Sequence, residues 1–262
     1  MRRCLLALAL CAAATSSFAA LRTRPVEWKV GNETFSGHLV YDDSVKKKLP
    51  GLVMFPNWMG VTDLSLERAK AVAGDDYVVL VADVYGKGVR PKDAKEAGAT
   101  VGKVYDDGGV RLRARANAAV AALKAQSGKA PLDVTRIGAF GFCFGGSVAL
   151  ELARSGAPVA GVVSFHGGLK RHLPQDGTPI PASLLVLNGA NDSSVPEADI
   201  SAFRKEMEAV KADWQFVDFG GAVHCFTQPE SDSPPNCVYN ERASRRAFEM
   251  MDDFFDERFK SP

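Results

Sequence analysis

The segment Gly141-Phe142-Cys143-Phe144-Gly145-Gly146 follows an apolar run, Ile137 to Phe140, and leads at once into an Ala- and Leu-rich stretch, Phe144 to Arg154. A chain that passes from strand to helix within so few residues turns so sharply that side chains two positions either side of Cys143 would collide. Glycine at 141 and 145 removes them. The segment therefore commits the chain to a buried strand that ends on a helix N-terminus, with a cysteine projecting from the apex where the helix end favours a thiolate. The competing reading is a buried cysteine in a glycine-rich, phosphate-binding turn. It wants a Lys-Ser/Thr pair after the glycines, or the dinucleotide glycine spacing, and neither is present.

The rest of the sequence supplies the sheet that such a turn needs. Val26 to Val30 and Thr34 to Tyr41 alternate apolar and polar side chains around Gly31-Asn32, the pattern of an antiparallel pair at a sheet edge. Leu52 to Phe55, Val78 to Val84, Ile137 to Phe140, Val159 to Phe165 and Leu184 to Leu187 are continuous apolar runs, as in parallel strands buried on both faces. Helical patterns lie between them at Leu64–Ala73, Val110–Gln126, Phe144–Arg154, Pro196–Val210 and Asn240–Phe259. This alternation predicts a single α/β domain over residues 21–262, with a mostly parallel central sheet, helices on both faces and an N-terminal antiparallel edge pair. On the helix beginning at Val110, the cluster Arg111, Arg113 and Arg115 reads as the solvated side.

In an open α/β sheet, ligands bind where strands end. Two further strand ends carry chemistry. Leu184 to Leu187 runs into Asn188-Gly189-Ala190-Asn191-Asp192, and Gln215 to Phe219 runs into Gly220-Gly221-Ala222-Val223-His224. Taken singly, Asp192 reads as a helix cap and His224 as a surface residue. Together with Cys143 they stand in the order nucleophile, acid, histidine of the α/β-hydrolases.

On these segments, and on Ala82-Asp83-Val84-Tyr85-Gly86, the chain resembles the dienelactone hydrolase family over nearly all of its length after the N-terminal segment. The resemblance implies an α/β-hydrolase fold and hydrolysis of an ester or lactone through an acyl-enzyme. Cys143 would be the nucleophile, His224 the general base and then acid, and Asp192 its orienter. The backbone N–H groups of Trp58 and Phe144 would form the oxyanion hole. This chemistry calls for no metal or organic cofactor, and the expected partner is a small-molecule ester or lactone. The chain departs from the family at Asn57, where an acid regulates the cysteine, and at Lys87, Gln228 and Cys225, where arginines and a serine grip a substrate carboxylate. Lys87 would supply a point charge without the bidentate grip of arginine. Trp58, Met59, Tyr85, Phe142, Phe144 and Phe226 are candidates for an apolar pocket wall, and Asn57, Lys87, Tyr85, Cys225 and Phe226 are taken together as the substrate-binding set.

Met1 to Ala20 has the zones of a secretory signal: Arg2 and Arg3, an apolar run from Leu5 to Ala14, then Ser16-Ser17-Phe18-Ala19. The run is well short of the roughly 18 residues that span a bilayer, so export to the periplasm or medium is predicted rather than stable membrane insertion. Cleavage there would remove Cys4 and Cys11. Cys225 and Cys237, flanking a Pro- and Ser-rich segment, are then candidates for a disulfide, leaving Cys143 free. With a net charge of +1 the chain has no field suited to nucleic acid. The residues leave oligomeric state open. A small-molecule-binding or stress-response protein without turnover, and a thiol redox protein, are the competing functional classes. The first has no use for an orienter and a base around a thiol, and the second lacks a Cys-x-x-Cys pair.

Overall fold

The computed structural model describes residues 21–174 and 176–260, so the predicted signal segment, residues 1–20, lies outside the described residues. Its centre is an eight-stranded sheet in the order β1-β2-β4-β3-β5-β6-β7-β8. The strands are β1 (Leu21–Val30), β2 (Glu33–Asp42), β3 (Leu49–Phe55), β4 (Val78–Val81), β5 (Leu132–Phe142), β6 (Gly161–Phe165), β7 (Ser183–Gly189) and β8 (Trp214–Phe219). β1 and β2 form the predicted antiparallel edge hairpin around Gly31-Asn32, and β2 pairs antiparallel with β4. From β4 to β8 every pairing is parallel. A further hairpin, β9 (Asp232–Ser233) with β10 (Cys237–Val238), occupies the Pro- and Ser-rich segment.

The inner strands are apolar on both faces because helices cover both. In β4, Val78 and Leu80 pack into one layer of the core, Val79 and Val81 into the other. α3 (Val110–Lys124), α4 (Phe144–Arg154) and α5 (Glu197–Ala209) close the first layer through Leu112, Val148 and Phe203. α1 (Asp63–Ala73) and α6 (Glu241–Phe259) close the second through Ala69, Met251 and Phe255. At about 1.5–3 kcal/mol for each large side chain fully buried, this two-sided burial is the main term holding the sheet between its helices. Among the described residues no helix is long and apolar enough to cross a membrane.

The structure departs from the sequence reading in instructive places. β4 stops at Val81, short of the predicted Val84, because the buried Asp83 carboxylate accepts the N–H groups of Tyr85 and Gly86 at 2.9 and 3.1 Å and turns the chain. α2 (Ala94–Val104) was not anticipated: its interior glycines, Gly98 and Gly102, weaken the helical signal. The cue was Asp93, which caps the Glu96 N–H at 2.8 Å. The arginine cluster needs correction. Arg111 is exposed, but Arg113 bonds the buried Glu151 at 2.8 Å, and Arg115 is itself buried against the Phe35 ring. α3 is covered by β1 on one side and α4 on another, so most of its circumference faces protein. Arg115 donates to the Val84 carbonyl at 2.9 Å and to Glu33 at 2.8 Å.

Removing this donor strands a buried carbonyl. Arg115→Ala is therefore expected to destabilise the protein by about 1–3 kcal/mol, read as a lower urea midpoint at unchanged slope; an unchanged midpoint would restore the solvated reading of this helix face.

Candidate active site

The elbow is built by two close approaches. A Cβ on Gly141 would meet the Gly145 carbonyl oxygen at 2.1 Å, and one on Gly145 would meet the Phe55 carbonyl oxygen at 2.0 Å. Both obstacles are backbone, so neither can yield. Cys143, pinched between them, takes φ 55°, a left-handed conformation that a side chain rarely adopts. Its N–H donates to the Phe165 carbonyl at 3.0 Å, which fixes the apex against the end of β6.

Asp192 and His224 arrive from the ends of β7 and β8. His224 Nε2 lies 3.0 Å from Cys143 Sγ, and its Nδ1 lies 2.7 Å from Asp192 Oδ2. The carboxylate can only accept, so Nδ1 carries a proton and Nε2 faces the sulfur. The other Asp192 oxygen accepts the Ser194 N–H at 2.8 Å, locking the side chain. Burial works against a charge on His224, but the hydrogen bonds to Asp192 and to Cys143 outweigh it and raise its proton affinity to about 10 from an ordinary 6.5. The ring is thus poised as an imidazolium beside the sulfur.

Cys143 and His224 line a cleft of about 780 Å³, with Asp192 buried behind the imidazole; the wall also includes Trp58, Met59, Val101, Tyr105, Phe144 and His172. Of the predicted oxyanion donors, the Phe144 N–H is at the first position of α4 and the Trp58 N–H lies in the loop after β3, where neither has a protein acceptor among the described residues. Tyr85 does not line the cleft. Its hydroxyl donates to the Trp58 carbonyl at 2.8 Å and its ring stacks on Phe144 at 5.5 Å, so it supports the loop after β3 from behind.

The remaining predicted substrate contacts divide. Asn57 lines the cleft, with its Nδ2 donating to Gln228 Oε1 at 3.0 Å and its Oδ1 accepting the Met59 N–H at 3.1 Å. Cys225 lines it as well, in a disulfide with Cys237 that leaves Cys143 as the free thiol among the described cysteines. Phe226 is completely buried behind the candidate triad, against His166 and Phe219. Lys87 is on the outer surface, where its Nζ pairs with Glu27 on β1 at 2.8 Å. The lysine that lines the cleft is Lys170, in the loop after β6. Sequence reasoning missed this residue, and missed Tyr105 and His172, whose rings stack 3.9 Å apart in the cleft wall. Tyr105 follows the unpredicted helix, and nothing in the spacing of the other two announces them.

Among the described residues no group of three or more His, Cys, Asp and Glu side chains could hold a metal ion. Residues 35–259 match the model of the dienelactone hydrolase family. The chain belongs to the dienelactone hydrolase family. It is similar to the crystal structure of a dienelactone hydrolase-like promiscuous phosphotriesterase from metagenomic libraries, 36% identical with a TM-score of 0.84, over 91% of this chain and 98% of that one. It is 26% identical over 204 residues to a probable 2-oxo-3-(5-oxofuran-2-ylidene)propanoate lactonase of a Bradyrhizobium species, covering 72% of this chain and 78% of that protein. It is 23% identical over 219 residues to a putative carboxymethylenebutenolidase of Salmonella typhimurium, covering 79% and 77%. Family membership places this dienelactone hydrolase relative among the ester and lactone hydrolases.

His224 binds a proton more tightly in the folded protein than its unfolded value of 6.5. The stability this contributes is complete below that value and is lost as pH rises through the folded value near 10. The gap in unfolding free energy between the wild type and Asp192→Asn should therefore be widest near pH 6 and narrow toward pH 10 in urea titrations; a gap of constant size would show that Asp192 does not hold this proton.

Proposed function

We propose that the protein hydrolyses esters or lactones through a Cys143 acyl-enzyme. The observation that carries this reading is the continuous chain Cys143 Sγ to His224 Nε2 at 3.0 Å and His224 Nδ1 to Asp192 at 2.7 Å, with Cys143 and His224 lining the cleft. The sulfur, as thiolate, attacks the carbonyl carbon. The S–C bond forms, and the carbonyl electron pair moves to an oxyanion within reach of the Phe144 and Trp58 N–H groups. Collapse of this intermediate expels the alkoxide, which takes the Nε2 proton from the His224 imidazolium. The neutral ring then removes a proton from water, hydroxide adds to the thioester, and a second collapse returns the thiolate and releases the acid.

The same arrangement argues against the binding-protein alternative, since an orienter and a base around a strained thiol serve turnover rather than affinity. The mostly apolar wall of Trp58, Met59, Val101, Tyr105 and Phe144 suits an uncharged acyl group or lactone ring, and Lys170 offers a cation for a substrate carboxylate. The likeness to a promiscuous phosphotriesterase adds phosphotriesters to the substrates worth testing, because the same thiolate and N–H donors would meet a phosphoryl centre. Export is proposed on the Met1–Ala20 pattern. The Cys225–Cys237 disulfide is consistent with an oxidising compartment.

With a short-chain activated aryl ester, Cys143→Ala and His224→Ala variants of confirmed fold should each lose about 10³-fold or more in kcat; turnover unchanged in either would overturn the proposal. Lys170→Ala should raise KM for anionic esters and leave neutral ones alone, while Lys87→Ala should change neither. Equal effects of Lys170→Ala on both kinds of ester would remove its assigned role.

A further inference from the structure

His166 is used by none of the steps above, yet it sits where the segments carrying the triad meet. It is completely buried, follows directly on β6, and takes φ 40°, one of the left-handed non-glycine residues of the chain. A β-carbon-bearing residue kept in this conformation at the end of a buried strand is held there by its surroundings. The residue before it, Phe165, supplies the carbonyl that fixes the Cys143 N–H at 3.0 Å. Its own N–H donates at 2.8 Å to the carbonyl of Leu187, on the strand that leads into the Asp192 turn. Its Nε2 is 2.8 Å from Thr227 Oγ1, three residues beyond His224. Its ring packs edge to face with the His224 ring at a centroid separation of 5.0 Å, and Phe142 and Phe226 flank it at 6.2 and 5.4 Å.

We infer that His166 is a positioning residue which, through its hydrogen bond to Thr227 and its ring contact with His224, holds the imidazole of His224 in line with both Cys143 and Asp192. The inference rests on the hydrolase reading for its consequence in turnover, but not for its geometry. Elsewhere the segment from Gly220 to Gln228 is a sequence of turns, and Cys225 within it also has a left-handed φ of 63°. A catalytic ring carried on such a segment has little support from regular secondary structure. On its outer side the disulfide and the bridge between His224 and Cys237 restrain it; on its inner side His166 does.

A histidine suits this place better than an apolar ring for two reasons. It reaches Thr227 with a hydrogen bond. It also stays uncharged, since burial, with the nearby positive charges of His224 and Arg68, holds its proton affinity well below the ordinary imidazole value. The His224 ring can therefore carry its proton with no like charge facing it from behind. The charged or titratable groups facing these two rings are Arg68, which lies over the Phe142 ring, and Cys143 and Asp192, which face His224. The Nδ1 of His166 has no partner among the described residues, so the ring is anchored through Nε2.

The test uses Thr227→Val, His166→Phe and His166→Gln in the full chain. The first two remove the hydrogen bond from opposite ends, while the glutamine keeps a hydrogen-bonding amide near the Nε2 position. With the aryl ester, Thr227→Val and His166→Phe should each lower kcat by roughly tenfold or more with KM little changed, as expected for a misplaced catalytic group. The double variant should lose no more than either alone, and His166→Gln should recover most of the loss. A second readout needs no substrate: the rate of Cys143 alkylation by iodoacetamide at pH 7 relative to pH 9.5. Weakening the contact between His224 and the sulfur lowers that ratio, as Asp192→Asn should also do, whereas a general loss of stability leaves it unchanged. The inference is overturned if Thr227→Val keeps the wild-type ratio, or if the glutamine variant behaves like the phenylalanine one. A wild type without ester turnover would remove the hydrolase reading, and the alkylation ratio would still decide the role of His166.

Discussion

The site depends on how closely two pieces of backbone approach at the elbow. α4 can begin within one residue of the end of β5 only because Gly145 lets its first turn lie against the carbonyl of Phe55 at the end of β3. Three features accompany that contact. It goes with the left-handed conformation of Cys143, it sets the sulfur at the helix N-terminus, and it brings the start of the loop after β3, which carries Trp58, against the first turn of α4. The candidate nucleophile and its two candidate oxyanion donors thus come from one steric solution. A side chain at 141 or 145 would disturb all of them together.

The parallel register carries this arrangement across the sheet. β5, β6, β7 and β8 are adjacent and parallel, so their carboxyl ends fall side by side. A cysteine after β5, an acid after β7 and a histidine after β8 can then meet although up to 81 residues separate them in sequence. β6 lies between the first two strands. Its end provides no reacting group, but it supplies the Phe165 carbonyl and the buried His166 that link the elbow, the acid turn and the histidine loop. The protein surrounds the His224 imidazole with a carboxylate, a disulfide-clipped hairpin and a neutral ring.

Much of this was legible in the residues. Strands apolar on both faces, glycines flanking the cysteine, and an acid and a histidine at later strand ends are local patterns with a direct physical meaning. What escaped the sequence was the partnership of residues remote in the chain. Lys87 and Lys170 are alike as side chains, but only the folded hairpin shows that Glu27 occupies the first while the second borders the cleft. Tyr85 and Phe226 are apolar rings near the motifs, and they prove to buttress the site rather than line it. Arg115 reads as a surface charge until α3 is seen to be enclosed by β1 and α4. The helix over Ala94–Val104 hid behind its two glycines, and with it the Tyr105 that follows it and forms part of the cleft wall.

The central claim is that the acyl group passes through the sulfur of Cys143. The most direct measurement is acid quenching of the enzyme within the first turnover of an activated aryl ester, followed by mass spectrometry of its peptides. The account predicts an acyl adduct on the peptide containing Cys143, formed as the aryl leaving group is released and lost as the acid product appears. Turnover without any such adduct, or an adduct on a different residue, would contradict it.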